Sequence, residues 1–289
     1  MSAVTPVSAL GKEAIEKKGW WRAHAWLIAR RFSQLGILGL FALASYKGVG
    51  ILKGNLSSSL LLDTIPLSDP FLLMQSIFTG HFPERTACLG AGIIVAFYLL
   101  FGGRTFCSWV CPVNLVTDAA AFLRRKLGLK GGRTPHPNTR YWLLGMVMVL
   151  ASLTGVLAWE WVNPVTIFQR GLIFGFGLAW GVIGAVFLYD LFIASRGWCG
   201  HVCPQGAFYS LLGRVSPVCI EAVQRDACDD CMECFAICPE PQVIRPALKA
   251  QGQSHAMILD SSCTHCARCV DICGERVFKV TMRFARSKP

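Results

Sequence analysis

Four runs almost free of charge interrupt an otherwise mixed chain: Phe32 to Leu52, Thr86 to Gly103, Tyr141 to Val162 and Gly171 to Ala194. At about 1.5 Å of rise per residue, each comes near the ~30 Å of a bilayer's hydrocarbon core, so each predicts a membrane-spanning helix. The second is the shortest and is expected to stand nearly upright. Amphipathic runs follow the second and fourth spans, Val113 to Leu127 and Gln205 to Leu212. The apolar stretch Asp69 to His81 opens on Asp-Pro and is too short to cross, so it is expected at a membrane interface. After the fourth span the pattern changes to short strand-like runs, "VCIEAV", "AMILD" and "RVFKVTMRF".

Composition agrees with a membrane chain, being 53% hydrophobic and only 16% charged. The stretch "RRFSQLGILGLFALAS" has the look of a twin-arginine signal. Its arginines lie as far in as positions 30 and 31 and its apolar run continues towards Leu52, so an uncleaved anchor is expected. Of 28 Lys and Arg, 24 fall in the segment before the first span, the loop from Arg104 to Arg140 and the segment after the fourth span. By the positive-inside rule these three lie in the cytoplasm. The net charge of +11 is thereby a topology signal, and no basic, aromatic-interleaved face points to nucleic acid.

The fourteen cysteines fall mostly on the reducing side, which favours metal binding over a disulfide framework. Cys228, Cys231, Cys234 and Cys238 read C-x2-C-x2-C-x3-C-P, and Cys263, Cys266, Cys269 and Cys273 repeat the spacing with Gly274 in place of proline. In such a run three thiolates wrap one iron–sulfur cube and the fourth reaches the other. The spacing therefore predicts two 4Fe–4S clusters, one on Cys228, Cys231, Cys234 and Cys273, the other on Cys263, Cys266, Cys269 and Cys238. Zinc knuckles, the rival, usually separate their cysteine pairs by a longer loop.

A second device occurs twice. "RTFCSWVCP" and "RGWCGHVCP" match at Arg104 and Arg196, Phe106 and Trp198, Val110 and Val202, and Pro112 and Pro204. Each copy closes a span, so the membrane part reads as two hairpins in tandem, an arrangement that often builds a site at the repeat interface. Proline suits a helix start, which sets Cys111 and Cys203 beside helix N-termini that favour thiolate, with an arginine near each pair. Cys107, Cys111, Cys199 and Cys203 are accordingly candidates for a further metal, a further cluster or a redox-active thiol group; the alternative is that they only end helices. Convergence of all four at the cytoplasmic face is expected.

Glu160 and Asp190, acids inside apolar spans, and His81 are candidate proton acceptors. His201 reads equally as a ligand or a hydrogen-bonded residue. Cys88 and Cys219 read as packed apolar residues. No spans offer facing histidines for a b-type haem, and no flavin domain is recognisable.

The fold class read from this is an α-helical membrane protein with four transmembrane helices in two hairpins, plus a C-terminal α+β double 4Fe–4S ferredoxin-like domain. Its divisions are 1–31, a cytoplasmic tail, 32–214, the membrane domain, and 215–289, the cytoplasmic ferredoxin-like domain. With "EAIEKKGWWRAH", "GNLSSSLLLDTIPLSDP", "WEWVNPV" and "GWCGHVCP", the chain resembles the NapH family over nearly its whole length. The resemblance implies a membrane quinol dehydrogenase that draws on the quinol pool. It implies a periplasmic iron–sulfur partner of the NapG type, then cytochromes and periplasmic nitrate reductase. Related membrane ferredoxins with the same C-x3-C-P pairs imply a rival, a copper reductase or an assembly factor for a respiratory enzyme.

Overall fold

The computed structural model describes residues 10–47, 51–129, 132, 134–175, 177, 179–249 and 256–284. Positions 48–50 of the first expected span and 176 and 178 of the fourth lie outside them, as do 1–9 of the tail and 250–255 and 285–289 of the ferredoxin segment. The chain divides into two compact units, one of 1–33, 98–109 and 210–289, the other of 34–97 and 110–209.

The second unit holds most of the apolar helices. Ala25–Lys47 enters it and is the single helix among the described residues long and apolar enough to cross a membrane, through Ala25–Tyr46. The other three expected spans are shorter than the sequence pattern suggested: Arg85–Phe101, Thr139–Thr154 and Ala179–Ile193. Backbone breaks explain the shortening. Gly155 ends its helix in the left-handed conformation at φ 66°, and Gly175 at φ 93° separates Pro164–Phe174 from the helix that follows.

Two nine- to eleven-residue helices complete this unit, Pro70–Phe78 and Pro164–Phe174. They start alike. Asp69 accepts the Phe71 N–H and Asn163 accepts the Val165 N–H, each with proline at the first helical position.

Between Ala25–Lys47 and the first of them lies an antiparallel sheet that the apolar pattern had not announced: β1 (Leu52–Gly54), β2 (Ser58–Leu61) and β3 (Ile65–Ser68), in sequential order. Asn55 holds the first turn by accepting the Ser57 and Ser58 N–H groups. Leu62 and Asp63 make the second with positive φ. The sheet lies close to Arg85–Phe101 at Gly90, where a Cβ would come within 3.0 Å of the Pro66 carbonyl and the Ser68 nitrogen.

In the first unit, β4 (Val218–Ala222) pairs with both β5 (Met257–Ile258) and β6 (Phe278–Met282), all antiparallel, where the sequence placed strand-like runs. Short helices Glu233–Ile237 and Arg268–Ile272 lie within the two cysteine runs, each carrying the third cysteine and ending at the fourth. The core beneath is Ile220, Val243, Ile244, Ala247, Ile258, Val277 and Phe278. Residues from the N-terminal segment pack onto this body. The helix Lys12–Lys18 sends Lys18 Nζ to the Val270 carbonyl at 2.8 Å, and Gly11 donates to Glu233. Asp271 accepts the Trp26 and Leu27 N–H groups in the first turn of Ala25–Lys47. A Cβ on Gly274 would meet Glu13 at 3.2 Å, which gives a packing reason for glycine where the first cysteine run has proline.

Candidate functional site

The two cysteine runs build matching loops. Asp230 and Met232 flank Cys231 with positive φ, and His265 and Ala267 flank Cys266 in the same way. Non-glycine residues in this conformation are uncommon, and their use at equivalent places in both runs marks a backbone wrapped for a purpose. Cys228, Cys231, Cys234 and Cys273 line one hollow together with Phe235, Leu248 and Phe278. Cys269 is buried, and burial first, then like-charge repulsion from Cys266, Cys238 and Cys263, raises its pKa. Cys234 contributes to the same repulsion, so the two quartets are neighbours.

The donor set suits iron–sulfur clusters. Burial pushes Cys234 and Cys263 up to about 12 and Cys231 up to about 11, a cost to the thiolate that a bound cation offsets. Thiols that surround a hollow, carried on wrapped loops of C-x2-C-x2-C spacing, suit a cube.

The first C-x3-C-P segment lies partly in the same unit and grips the second loop. Arg104, 1% exposed, donates to Glu240 at 2.6 Å and to the Ser262 carbonyl at 2.7 Å. Ser108 donates to the Thr264 carbonyl and Trp109 Nε1 to that of His265. Gly102, at φ 103°, admits the His265 ring where a Cβ would stand 2.6 Å from Nδ1.

The two C-x3-C segments carry helical turns of different kinds: Thr105–Trp109 is α-helical and Trp198–Val202 π-helical. Cys111 and Cys203 do stand just before helices, Val113–Lys126 and Pro204–Leu212, and Cys203 Sγ accepts the Gly206 N–H at 3.4 Å. Cys199 Sγ lies 3.9 Å from Thr117 Oγ1. Cys107 belongs to the first unit and Cys111, Cys199 and Cys203 to the second. The matched arginines each pair with a carboxylate, Arg104 with Glu240 and Arg196 with Asp118 at 3.0 Å.

The proton-acceptor candidates are scattered. Asp190 is wholly buried and accepts the Trp198 N–H. Glu160 lies 3.6 Å from Arg170 and accepts from Asn163, and His81 is exposed beside Thr79. His201 is half-buried in the π-helical turn, Cys88 is exposed, and Cys219 is buried in β4.

A residue outside those candidates forms the best-built polar site in the second unit. Asp69 is buried, and besides capping its helix it accepts from Gln205 Nε2 at 2.8 Å and Tyr209 Oη at 3.0 Å. The available signal was a longer repeat: Asp69-Pro70 followed by Gln75, and Asn163-Pro164 followed by Gln169. Both glutamines are buried; one accepts from Trp159 N and the other from Leu56 N.

Comparison with known proteins adds three findings. A family model described as a 4Fe-4S binding domain matches twice, over 86–130 and 173–218, each match taking in one C-x3-C-P segment. The ferredoxin-type proteins NapH of Haemophilus influenzae and of Escherichia coli are each 48% identical, over 96% and 95% of this chain and 96% of their own. The methylamine utilization ferredoxin-type protein MauN of Methylorubrum extorquens is also 48% identical, over 96% of both chains. No solved structure matches. With this identity along nearly its whole length, the chain is an electron-transfer iron–sulfur protein and belongs to the NapH family of ferredoxin-type proteins.

Proposed function

We propose that the chain is the membrane subunit that takes electrons from quinol and passes them through two 4Fe–4S clusters towards a periplasmic iron–sulfur partner of the NapG type and nitrate reductase. The observation that carries this reading is the pair of neighbouring cysteine quartets in a chain that also supplies a helix able to cross a membrane. Cys228, Cys231, Cys234 and Cys273 hold one cluster, and Cys263, Cys266, Cys269 and Cys238 the other. Each cluster, when bound, supplies one-electron chemistry. The protein's own part is to exclude water from the buried thiolates, to clamp the second loop through Arg104 and to provide bases for the quinol's protons. The four C-x3-C-P thiols are the candidates for a further redox or metal role.

Four spans with both termini in the cytoplasm are part of this reading. The three shorter helices, about 23–26 Å long at 1.5 Å per residue, fit a bilayer that thins slightly around them. They leave Leu89, Val149, Leu153, Trp180 and Phe192 exposed, which is costly in water and suits lipid. Reporter fusions after Leu127 and at the C-terminus are expected to read cytoplasm, and one after Gly80 periplasm. A periplasmic signal at Leu127 overturns the topology.

The functional reading is tested by anaerobic preparation, iron analysis and titration with a quinol. Stoichiometric reduction of both clusters is expected, followed by EPR. The equal identity to MauN favours a second reading, in which the electrons serve methylamine utilization. Co-purification of redox partners separates the two.

A further inference from the structure

The two capped helices of the second unit are built to one plan with a single chemical difference. Asp69 has φ −66° and ψ 117°, and Asn163 has φ −68° and ψ 107°; both precede proline and both accept the N–H two residues on. An amide therefore satisfies the architecture, and the first copy nonetheless carries a carboxylate. That carboxylate is buried, a setting that makes its charge costly. Polar atoms without a hydrogen-bond partner among the described residues occur on the helix it caps (Gln75 Nε2), on Trp159, which packs with Phe71 (Nε1), and on its own partner Gln205 (Oε1). Gln75 is fully buried and Trp159 is 6% exposed, so the two donors are turned inward with nothing to receive them.

We propose that Asp69, held by Tyr209 and Gln205, is the residue that accepts a proton from the bound quinol, with Gln75 Nε2 and Trp159 Nε1 as donors to the ring oxygens. This rests on the quinol reading above and deepens it. In the step, a quinol O–H bond breaks and its proton moves to a carboxylate oxygen of Asp69. The second hydroxyl proton goes to water. The two electrons would pass singly to the clusters that the two cysteine quartets would hold, and quinone remains. Asp69 then returns its proton to water. Burial raises its pKa to about 6, against the donations from Phe71 N, Tyr209 and Gln205, and Glu160 raises it further. The titratable and charged groups around it are Tyr209 from Pro204–Leu212 and Glu160 from the turn before Asn163, with Arg170 beside Glu160. A base of this kind works only when ionised, so the rate rises with pH through the region of 6 and levels above it.

Asp69→Asn is the test, because Asn163 demonstrates that asparagine caps this helix and because Gln205 can turn its unpartnered Oε1 to the new amide. Quinol-dependent cluster reduction in the full chain is expected to fall about 100-fold or more and to lose its pH dependence near 6, the usual scale for removing a general base. Infrared difference spectra should lose a protonated-carboxyl band that titrates in the same range, while iron content and dithionite-reduced EPR stay unchanged. Asn163→Asp, at the matched position, is expected not to restore the rate. A variant within twofold of the parent with the same pH profile overturns the role of Asp69 and leaves the quinol reading standing. Failure of the parent protein to be reduced by quinol overturns that reading and this proposal together.

Discussion

Replacing Arg104 by alanine is expected to destabilise the ferredoxin-bearing unit by about 3–5 kcal/mol, the range for breaking a buried ion pair from one side. Arg104 and Glu240 are 1% and 2% exposed and meet at 2.6 Å, so neither charge has water to fall back on. The loss also strips a donor from the Ser262 carbonyl, next to Cys263. A domain of this kind is stable by only about 5–15 kcal/mol, so the change takes a large share. Thermal loss of the iron–sulfur absorbance in detergent measures it. Replacing both partners by leucine should recover much of the deficit, because no buried charge is then left alone. An Arg104→Ala protein as heat-resistant as the parent excludes the ion pair as a structural clamp.

The second large effect separates the crossed ligand assignment from a sequential one. Cys234→Ser and Cys273→Ser are expected to remove the same cluster, with about half the iron lost and one EPR signal gone. Cys238→Ser should remove the other signal. The reason is geometric: Cys273 lines the same hollow as Cys228, Cys231 and Cys234, and Cys238 acts on Cys269. Serine's hard hydroxyl is a poor substitute for a thiolate on iron. If Cys238→Ser and Cys234→Ser erase one and the same signal, each run holds its own cube and the crossed assignment is wrong.

Much of the iron–sulfur chemistry was legible because it is local. Three thiols within seven residues can meet only a few ways, so C-x2-C-x2-C already implies a wrapped loop, and the strand runs beside it need only alternate. The apolar runs were legible for the same reason, but their helical lengths were not. Helix ends depend on where glycines such as Gly155 and Gly175 take positive φ, and hydropathy does not register that. The β1–β3 sheet escaped because its second turn uses Leu62 and Asp63 in the left-handed region, without the Asn-Gly or Asp-Gly that marks a hairpin. The matched arginines were legible as a repeat, but their partners were not. Identical in motif, they diverge in partner, since Glu240 lies 136 positions from Arg104 and Asp118 lies on the helix that follows the first cysteine pair.

By itself, then, the sequence determined what short range can dictate: two cysteine quartets, apolar helices, paired helix starts at C-x3-C-P, and membership of an electron-carrying family. Only the tertiary structure decided which polar groups share a buried space. Asp69 meets Gln205 and Tyr209 across 136 and 140 residues, and no periodicity in the chain couples them. They meet because a buried carboxylate must collect donors from whichever elements pack around it, and packing is a property of the whole fold.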